Sequence, residues 1–399
     1  VKNVIVQLGD VCEFVRGITF PSGEGKSLPF GNSIACLTTS GVQENVAWNS
    51  RRFVQLTRLG NAKQMLQAGD VLISTANSKE LVGKSCLIHR PPFPCTFGAF
   101  VTVARPKTRL CPKYLAYWMM TRKYLAWCFK QSSNTTNISN LRVSELEELV
   151  FPLPDLLEQQ QIAKRLEQAD RLRRNRRYAL ELSGTYLASA FLKLFGDPKQ
   201  NIKQWPQENL ADVCFRFSDG PFGSNLKSEH YRSSGVRVVR LQNIGVGEFI
   251  DDDKAFISRQ HFDKLRKHEC LPGDLLIGTL GDPNLRACIL PPDIPTAINK
   301  ADCVQARANP RKAHAQYLTA LLNMPSTLYL VPGMVHGQTR GRVSMGELAE
   351  LPIPLPPLPQ QQKFASLANQ FEHLRAIQRE ALRQAEHLFQ SLLHDAFKS

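Results

Sequence analysis

The chain has 399 residues, 43% of them hydrophobic, and a formal net charge of +15 at pH 7. This is an ordinary globular composition, and the surplus favours a polyanionic partner, nucleic acid ahead of membrane. No apolar run approaches the length that spans a bilayer, the N-terminus lacks a signal pattern, and the cysteines form neither a Cys-x-x-Cys pair nor a cysteine–histidine zinc spacing, which predicts free buried thiols, no metal site and a reducing cytoplasm.

Residues 1–155 predict a first globular body. It opens on Leu8-Gly9-Asp10-Val11-Cys12. Gly69-Asp70-Val71-Leu72-Ile73, Lys84-Ser85-Cys86-Leu87-Ile88 and Lys113-Tyr114-Leu115 follow. Three stretches imitate catalytic motifs and fail on chemistry. Gly25-Lys26-Ser27 and Gly83-Lys84-Ser85 end like a phosphate loop, but Phe20 and Ser78 stand where its leading glycine belongs. Arg90-Pro91-Pro92-Phe93 is close to an aminomethyltransferase tetrapeptide, whose first side chain must accept hydrogens from the target amine. Arginine cannot accept.

The body ends at Phe151-Pro152-Leu153-Pro154, and residues 156–195 predict one long helix. Asp155 and Glu158 have capping-box spacing behind Pro154. Ile162, Leu166, Ala169 and Leu172 recur at three- and four-residue steps, continued by Ala179, Leu182, Tyr186 and Ala190. Gly196 and Pro198 end the helix. Its run of Arg171, Arg173, Arg174, Arg176 and Arg177 reads as a solvated face, a phosphate-facing stripe or a docking surface.

Residues 196–357 repeat the plan. Leu210-Ala211-Asp212-Val213-Cys214, Gly273-Asp274-Leu275-Leu276-Ile277, Arg286-Ala287-Cys288-Ile289-Leu290 and Gln316-Tyr317-Leu318 match the landmarks of the first body in order. Ile353-Pro354-Leu355-Pro356 then precedes Gln360-Gln361-Gln362, as Phe151-Pro152-Leu153-Pro154 precedes Gln159-Gln160-Gln161. A period this long is a domain duplication, not a solenoid. Asp251-Asp252-Asp253-Lys254 within this body reads as a solvated turn. Residues 358–399 predict the second long helix. Phe364, Leu367, Phe371, Leu374, Ala381, Ala385, Leu388 and Leu392 have coiled-coil spacing, interrupted at Gln378 in register with Arg176. The arginine run has no counterpart here and looks foreign to the duplicated plan. A helix of this length is a rod of roughly 60 Å, and an apolar stripe needs a partner. The repeat is the obvious one, and two similar units pair most simply about a pseudo-two-fold axis, with the helices antiparallel.

Body, Pro-Leu-Pro, glutamine-rich helix start and long helix, then all of it again: this order resembles the specificity subunit of type I restriction–modification systems. Ser218-Asp219-Gly220-Pro221-Phe222-Gly223-Ser224-Asn225-Leu226-Lys227 is similar to that family's loop after the first strand region. Val236-Arg237-Val238-Val239-Arg240-Leu241-Gln242-Asn243-Ile244 is similar to the strand and turn that follow. The resemblance implies two tandem target recognition domains of mixed α/β (α+β) fold, each followed by a long α-helix. Each would read one half of a split site in double-stranded DNA. The helices would act as a ruler and as a dock for two modification (methyltransferase) subunits. S-adenosylmethionine would sit on those subunits, with no cofactor and no catalysis in this chain, and a restriction subunit could join.

Base reading needs amide and guanidinium groups on rigid turns. The second body offers Phe222, Ser224 and Lys227 on its first loop. It also offers Arg240, Gln242 and Asn243 after a Val/Arg-alternating strand, and Gln338, Arg340 and Arg342 in a Gly-rich loop. In the first body, Thr19 and Ser22 belong to the loop of residues 17–23. Thr38 and Thr39 match Gln242 and Asn243 in register, and Thr136 and Asn137 lie near Gln338 and Thr339. Different polar residues at the same places suit two readers with different targets. A catalytic adenine methyltransferase and a protein-binding scaffold are the rival readings. Binding of S-adenosylmethionine and of random duplex would separate them.

Overall fold

The computed structural model describes residues 4–21, 23–131, 133–135, 138–331 and 342–398. The chain divides into two compact units, residues 1–177 with 381–399, and residues 178–380. Each unit thus holds one body and a part of each long helix.

The strand Val71–Ser74 is buried along its whole length. It is an inner strand of a four-stranded antiparallel sheet, ordered Cys12–Arg16, Val101–Pro106, Val71–Ser74, Ser85–Leu87. Both faces of that sheet are covered, so alternation disappears from the sequence. Val71 and Ile73 pack with Tyr114, Leu115 and Trp118. Leu72 packs on the other side with Leu37, Phe97 and Val103. The second cover is a three-stranded sheet, Arg52–Gln55, Ser33–Leu37 and Cys95–Phe97, the last two parallel.

The other unit repeats this. Its four-stranded sheet is ordered Cys214–Ser218, Cys303–Ala308, Leu275–Gly278, Arg286–Ile289. Leu275 and Ile277 face Tyr317 and Leu318, and Leu276 faces Val239 and Cys270. Its second sheet has five strands, with Val236–Val239 parallel to Ala297–Asn299. Both bodies are therefore mixed α/β, as the resemblance implies.

The duplicated motifs are structural clamps. Gln159 is fully buried. Its Oε1 accepts from the Cys111 N–H (2.8 Å), and its Nε2 donates to the carbonyls of Pro154 (2.9 Å) and Arg109 (3.1 Å). Gln361 repeats this with the His314 N–H (2.9 Å) and the carbonyls of Pro356 (2.7 Å) and Lys312 (3.3 Å). Tyr114 and Tyr317 donate to Pro152 and Pro354 at 3.1 and 2.6 Å. Asp70 and Asp274, both buried, each take a bidentate arginine, Arg105 and Arg307, at 2.7 and 2.8 Å. A buried carboxylate is tolerated only when paired and hydrogen-bonded in this way.

The first long helix does not run unbroken to residue 195. It spans Leu156–Gly184, and Tyr186–Phe195 starts anew after Thr185. The hydroxyls of Ser183 and Thr185 donate to the carbonyls of Leu180 (2.7 Å) and Leu182 (3.1 Å). Such local bonds, beside a glycine, interrupt the helical ladder. The C-terminal helix is continuous over Leu358–Ala396.

The expected seam needs correction. Leu166, Ala169 and Phe364 are buried, and Ile162, Leu367, Phe371 and Leu392 partly so. Leu172, Leu374 and Leu388 are 41%, 55% and 45% exposed. The buried stripe instead runs Gln159, Ala163, Leu166, Asp170, Arg173 on the first helix and Ala385, Phe389, Leu393, Phe397 at the C-terminal end. The reason is that the helices also pack on their body. Tyr117 lies 6.1 Å from Phe389, and Tyr114 lies 5.1 Å from Phe397. That contact turns part of the buried face toward the body and leaves Leu172, Leu374 and Leu388 outside it.

All ten cysteines are free. Burial pushes the repeat-matched thiols Cys12, Cys86, Cys214 and Cys288 up to about 12. Among the described residues no helix is long and apolar enough to cross a membrane.

Candidate nucleic-acid interface

In each unit the edge strand of the four-stranded sheet leads into the candidate loop: Cys12–Arg16 in one, Cys214–Ser218 in the other. A glycine then lies against a facing turn. A Cβ on Gly17 would sit 2.1 Å from the Gly98 carbonyl oxygen, and one on Gly220 would sit 2.2 Å from the Lys300 backbone. Only glycine fits such an approach, so each loop leaves its sheet at a fixed point. The facing turns are equivalent too. The Val101 N–H donates to Gly98 (2.8 Å), and the Cys303 N–H to Lys300 (3.1 Å). The Phe100 carbonyl accepts from the N–H and hydroxyl of Thr75 (3.0 and 3.4 Å). The Asp302 carbonyl accepts from the same two groups of Thr279 (3.1 and 3.2 Å).

Beside the loop of the first unit lies an open concavity of about 800 Å³, lined by Ile18, Thr19, Phe20, Thr38, Arg52 and Phe100. Thr19 is exposed. Thr38 and Thr39 are half-buried, and the hydroxyls of Thr38 and Ser40 bond to each other at 3.0 Å. The second unit has a concavity of about 390 Å³ beside its own first loop, lined by Phe217, Asp219, Phe222, Asn225, Lys267 and His268. Burial pushes the Asp219 carboxyl up and the His268 imidazole down. Phe222, Ser224 and Lys227 are exposed on this loop. The Arg342 guanidinium lies 5.6 Å from the Phe222 ring centroid and pairs with Asp302 at 2.7 Å.

Asn243 is not a base reader. It is fully buried. Its Oδ1 accepts from the Arg240 N–H, and its Nδ2 donates to the carbonyls of Ile250 and Asp253, all at 2.9 Å. An amide spent on its own backbone cannot reach a base edge. It braces the turn that carries Gln242, which is exposed. The amide of Gln242 and the guanidinium of Arg240 converge on the Asp253 carboxylate. The hydrogen bond from Gln242, with the charge of Arg240, holds that carboxyl below its usual range. Arg237, on the preceding strand, is buried near the rings of Phe256 and Phe249 and pairs with Asp251 at 2.9 Å. Asp253 therefore belongs to the site, although its acidic run reads from sequence as a solvated turn. Phe100 and Arg52 are also absent from the sequence reading. The one signal for Phe100 is a large apolar residue closing a turn that begins at Gly98. Ser22, Thr136, Asn137, Gln338 and Arg340 lie outside the described residues.

Three arginines of the run in the first helix are ion-paired, while Arg171 and Arg176 are exposed. Arg173 and Arg177 both pair with Glu44, Arg174 pairs with Asp170 at 2.6 Å, and Arg177 also reaches Glu386 at 2.8 Å. Burial alone would raise the Glu44 carboxyl, but the arginines outweigh it and hold it below the ordinary value. In the other unit Arg375 pairs with Glu372 (3.3 Å) and Arg379 with Glu248 (2.7 Å). Arg173 and Arg177 therefore belong to the duplicated plan, matched by Arg375 and Arg379, whereas Arg171, Arg174 and Arg176 face His373, Ala376 and Gln378. Sequence alone hides this because the partners sit on distant loops.

Residues 1–182 match the type I restriction modification DNA specificity domain. Beyond that domain, nearly the whole chain is similar to type I restriction enzyme specificity subunits. The specificity subunit of the type I restriction enzyme EcoKI from Escherichia coli (strain K12) is 22% identical, across 99% of this chain and 88% of its own. The MjaVIII specificity subunit from Methanocaldococcus jannaschii is 21% identical, across 96% and 89%. The crystal structure of a type I system S subunit from M. genitalium superposes with a TM-score of 0.58 at 14% identity, covering all of this chain and 96% of that one. A chain from a structural study of type I restriction–modification complex assembly gives 0.57 at 17%, covering 99% and 97%. These two share the fold.

The motifs that imitate catalysis have structural occupations. A Cβ on Gly83 would lie 2.4 Å from the Cys128 sulfur, so packing explains that glycine of Gly83-Lys84-Ser85. Asp251 pairs with Lys254 at 2.7 Å as well as with Arg237. Among the described residues no three His, Cys, Asp or Glu side chains gather as metal ligands.

Proposed function

We propose that this chain is the non-catalytic, DNA-reading subunit of a type I restriction–modification assembly, and that each unit reads one half of a bipartite target. One observation carries the reading. The two units share their clamps, glycines and turns, yet carry different side chains where each loop leaves its sheet. A common scaffold with exchanged surface residues is what two readers of different sequences require. The excess of Lys and Arg supplies phosphate attraction, and binding weakens with salt as condensed counterions are released.

The two long helices form the ruler between the half-sites, as an antiparallel coiled coil about a pseudo-two-fold axis. The order of neighbours within each unit supports this. Arg173 lies 4.3 Å from the Phe389 ring, and Arg177 pairs with Glu386. In the other unit Tyr186 lies 5.0 Å from Phe371, and Phe191 lies 5.6 Å from Phe364. Numbers rise along one helix as they fall along the other. The exposed leucines Leu172, Leu374 and Leu388 belong to the surface on which two methyltransferase subunits dock. Those subunits carry the S-adenosylmethionine, and a restriction subunit can join them in the cytoplasm.

The test is to map methylated adenines in DNA from cells that express this chain with its cognate methyltransferase. A split, asymmetric target with a fixed spacer is expected. Methylation of one continuous or palindromic sequence would overturn the two-reader scheme. Stoichiometric S-adenosylmethionine binding by the isolated chain, seen by calorimetry, would overturn the non-catalytic assignment.

A further inference from the structure

We propose that Phe100 is a base-reading residue of the first unit, and that its ring takes the 5-methyl group of a thymine in the major groove. The inference rests on the DNA-reading role proposed above and adds a residue and a chemical preference to it.

Phe100 is 60% exposed, yet it is not a loosely held surface residue. Its carbonyl accepts from the N–H groups of Thr75 (3.0 Å) and Ala76 (3.3 Å) and from the Thr75 hydroxyl (3.4 Å). The turn is closed by the Val101 N–H on Gly98, and Gly17 abuts it. The backbone is held and the ring is presented. With Ile18 and Phe20 it makes the apolar wall of the 800 Å³ concavity, whose rim carries Thr19, Thr38 and Arg52. Hydroxyls and a guanidinium around an apolar recess suit a base edge flanked by phosphates.

The other unit supports the assignment independently. Its turn is built by the same bonds, but Asp302 stands where Phe100 stands. That carboxylate holds Arg342, whose guanidinium lies over Phe222. Phe222 is itself half exposed. Both units thus place phenyl rings beside this turn and loop, Phe100 and Phe20 in the first and Phe222 in the second.

A phenyl ring has no hydrogen-bonding group. Of the features in the major groove it can favour only the thymine methyl.

The experiment uses the full chain with its methyltransferase partners and a duplex carrying the mapped target. Each thymine of the first half-site, on both strands, is replaced singly by deoxyuridine, which removes only the methyl. Wild type should lose about fourfold in affinity at one position, the worth of one methyl group withdrawn from water. Phe100→Ala should bind the unmodified duplex more weakly by the same factor and show no further loss at that position. Phe100→Leu should keep part of the sensitivity. Both variants should discriminate at the second half-site as before, which reports that they are folded. The inference is overturned if no deoxyuridine weakens the wild type, a result that needs no variant, or if Phe100→Ala responds to the substitutions as wild type does. Wild type that binds no specific duplex at all would instead overturn the DNA-reading role itself.

Discussion

Replacing Gln159 with alanine should cost the first unit about 2–5 kcal/mol. The side chain is fully buried and satisfies three backbone groups: the Cys111 N–H and the carbonyls of Arg109 and Pro154. Each buried polar group left without a partner costs about 1–3 kcal/mol, and relaxation or entry of water recovers part of the sum. Gln159→Met fills the same volume and should lose nearly as much, because it supplies neither donor nor acceptor in the right place. Gln159→Glu should be worse than Met, since a carboxylate would face two carbonyl oxygens. The assay is urea titration of the full chain combined with native-state hydrogen exchange, which isolates the first unit through its own amides. The Cys111 amide should lose most of its protection. Amides of the second unit should keep theirs, because Gln361 makes the equivalent bonds there. A Gln159→Ala protein within about 0.5 kcal/mol of wild type, or a Met variant equal to wild type, would refute the view that the repeated glutamine is a structural clamp.

Three other outcomes are expected. Asp253→Ala frees both Gln242 and Arg240, so discrimination at the second half-site should fall by on the order of tenfold while the first is untouched; unchanged selectivity across single-base variants would show that Asp253 does not orient them. Inserting one heptad after Arg177 and another after Glu380, between the helix segments that belong to the two units, keeps the stripe in phase and should lengthen the spacer by no more than about three base pairs; methylation mapping that finds altered half-sites with the old spacer would contradict the ruler. Burial holds His268 and His314 below the ordinary histidine value, so the unfolded chain takes up their protons first. Their contribution to stability is then complete above about pH 6.5 and is lost as the pH falls from there toward the folded values. A His268→Gln protein whose urea midpoint follows the wild-type pH profile would contradict this.

Much of the architecture was legible because it is written in local signals repeated twice. Pro-Leu-Pro before a capped, glutamine-rich helix start marks a helix wherever it occurs, and the matched landmarks declare a duplicated body. The unbroken apolar runs after Gly69 and Gly273 are legible in the same way. Burial on both faces removes the need for polar residues, and that leaves its trace in sequence order.

What only the tertiary structure decided is which side chains remain free to act. Asn243 and Gln242 are neighbours of similar chemistry, yet one is spent on the carbonyls of Ile250 and Asp253 and the other is exposed. Arg173 and Arg177 look like a charged surface until the loop with Glu44 folds onto them. Leu172 has the spacing of a seam, but the aromatic residues of the body turn the buried face past it. Phe100 has no polar group to attract notice, and its place at the mouth of a recess depends on Gly17, Thr75 and Gly98. Local periodicity reports how a segment can fold. Exposure, pairing and presentation are set by residues far away in the chain, and no spacing within one segment encodes them.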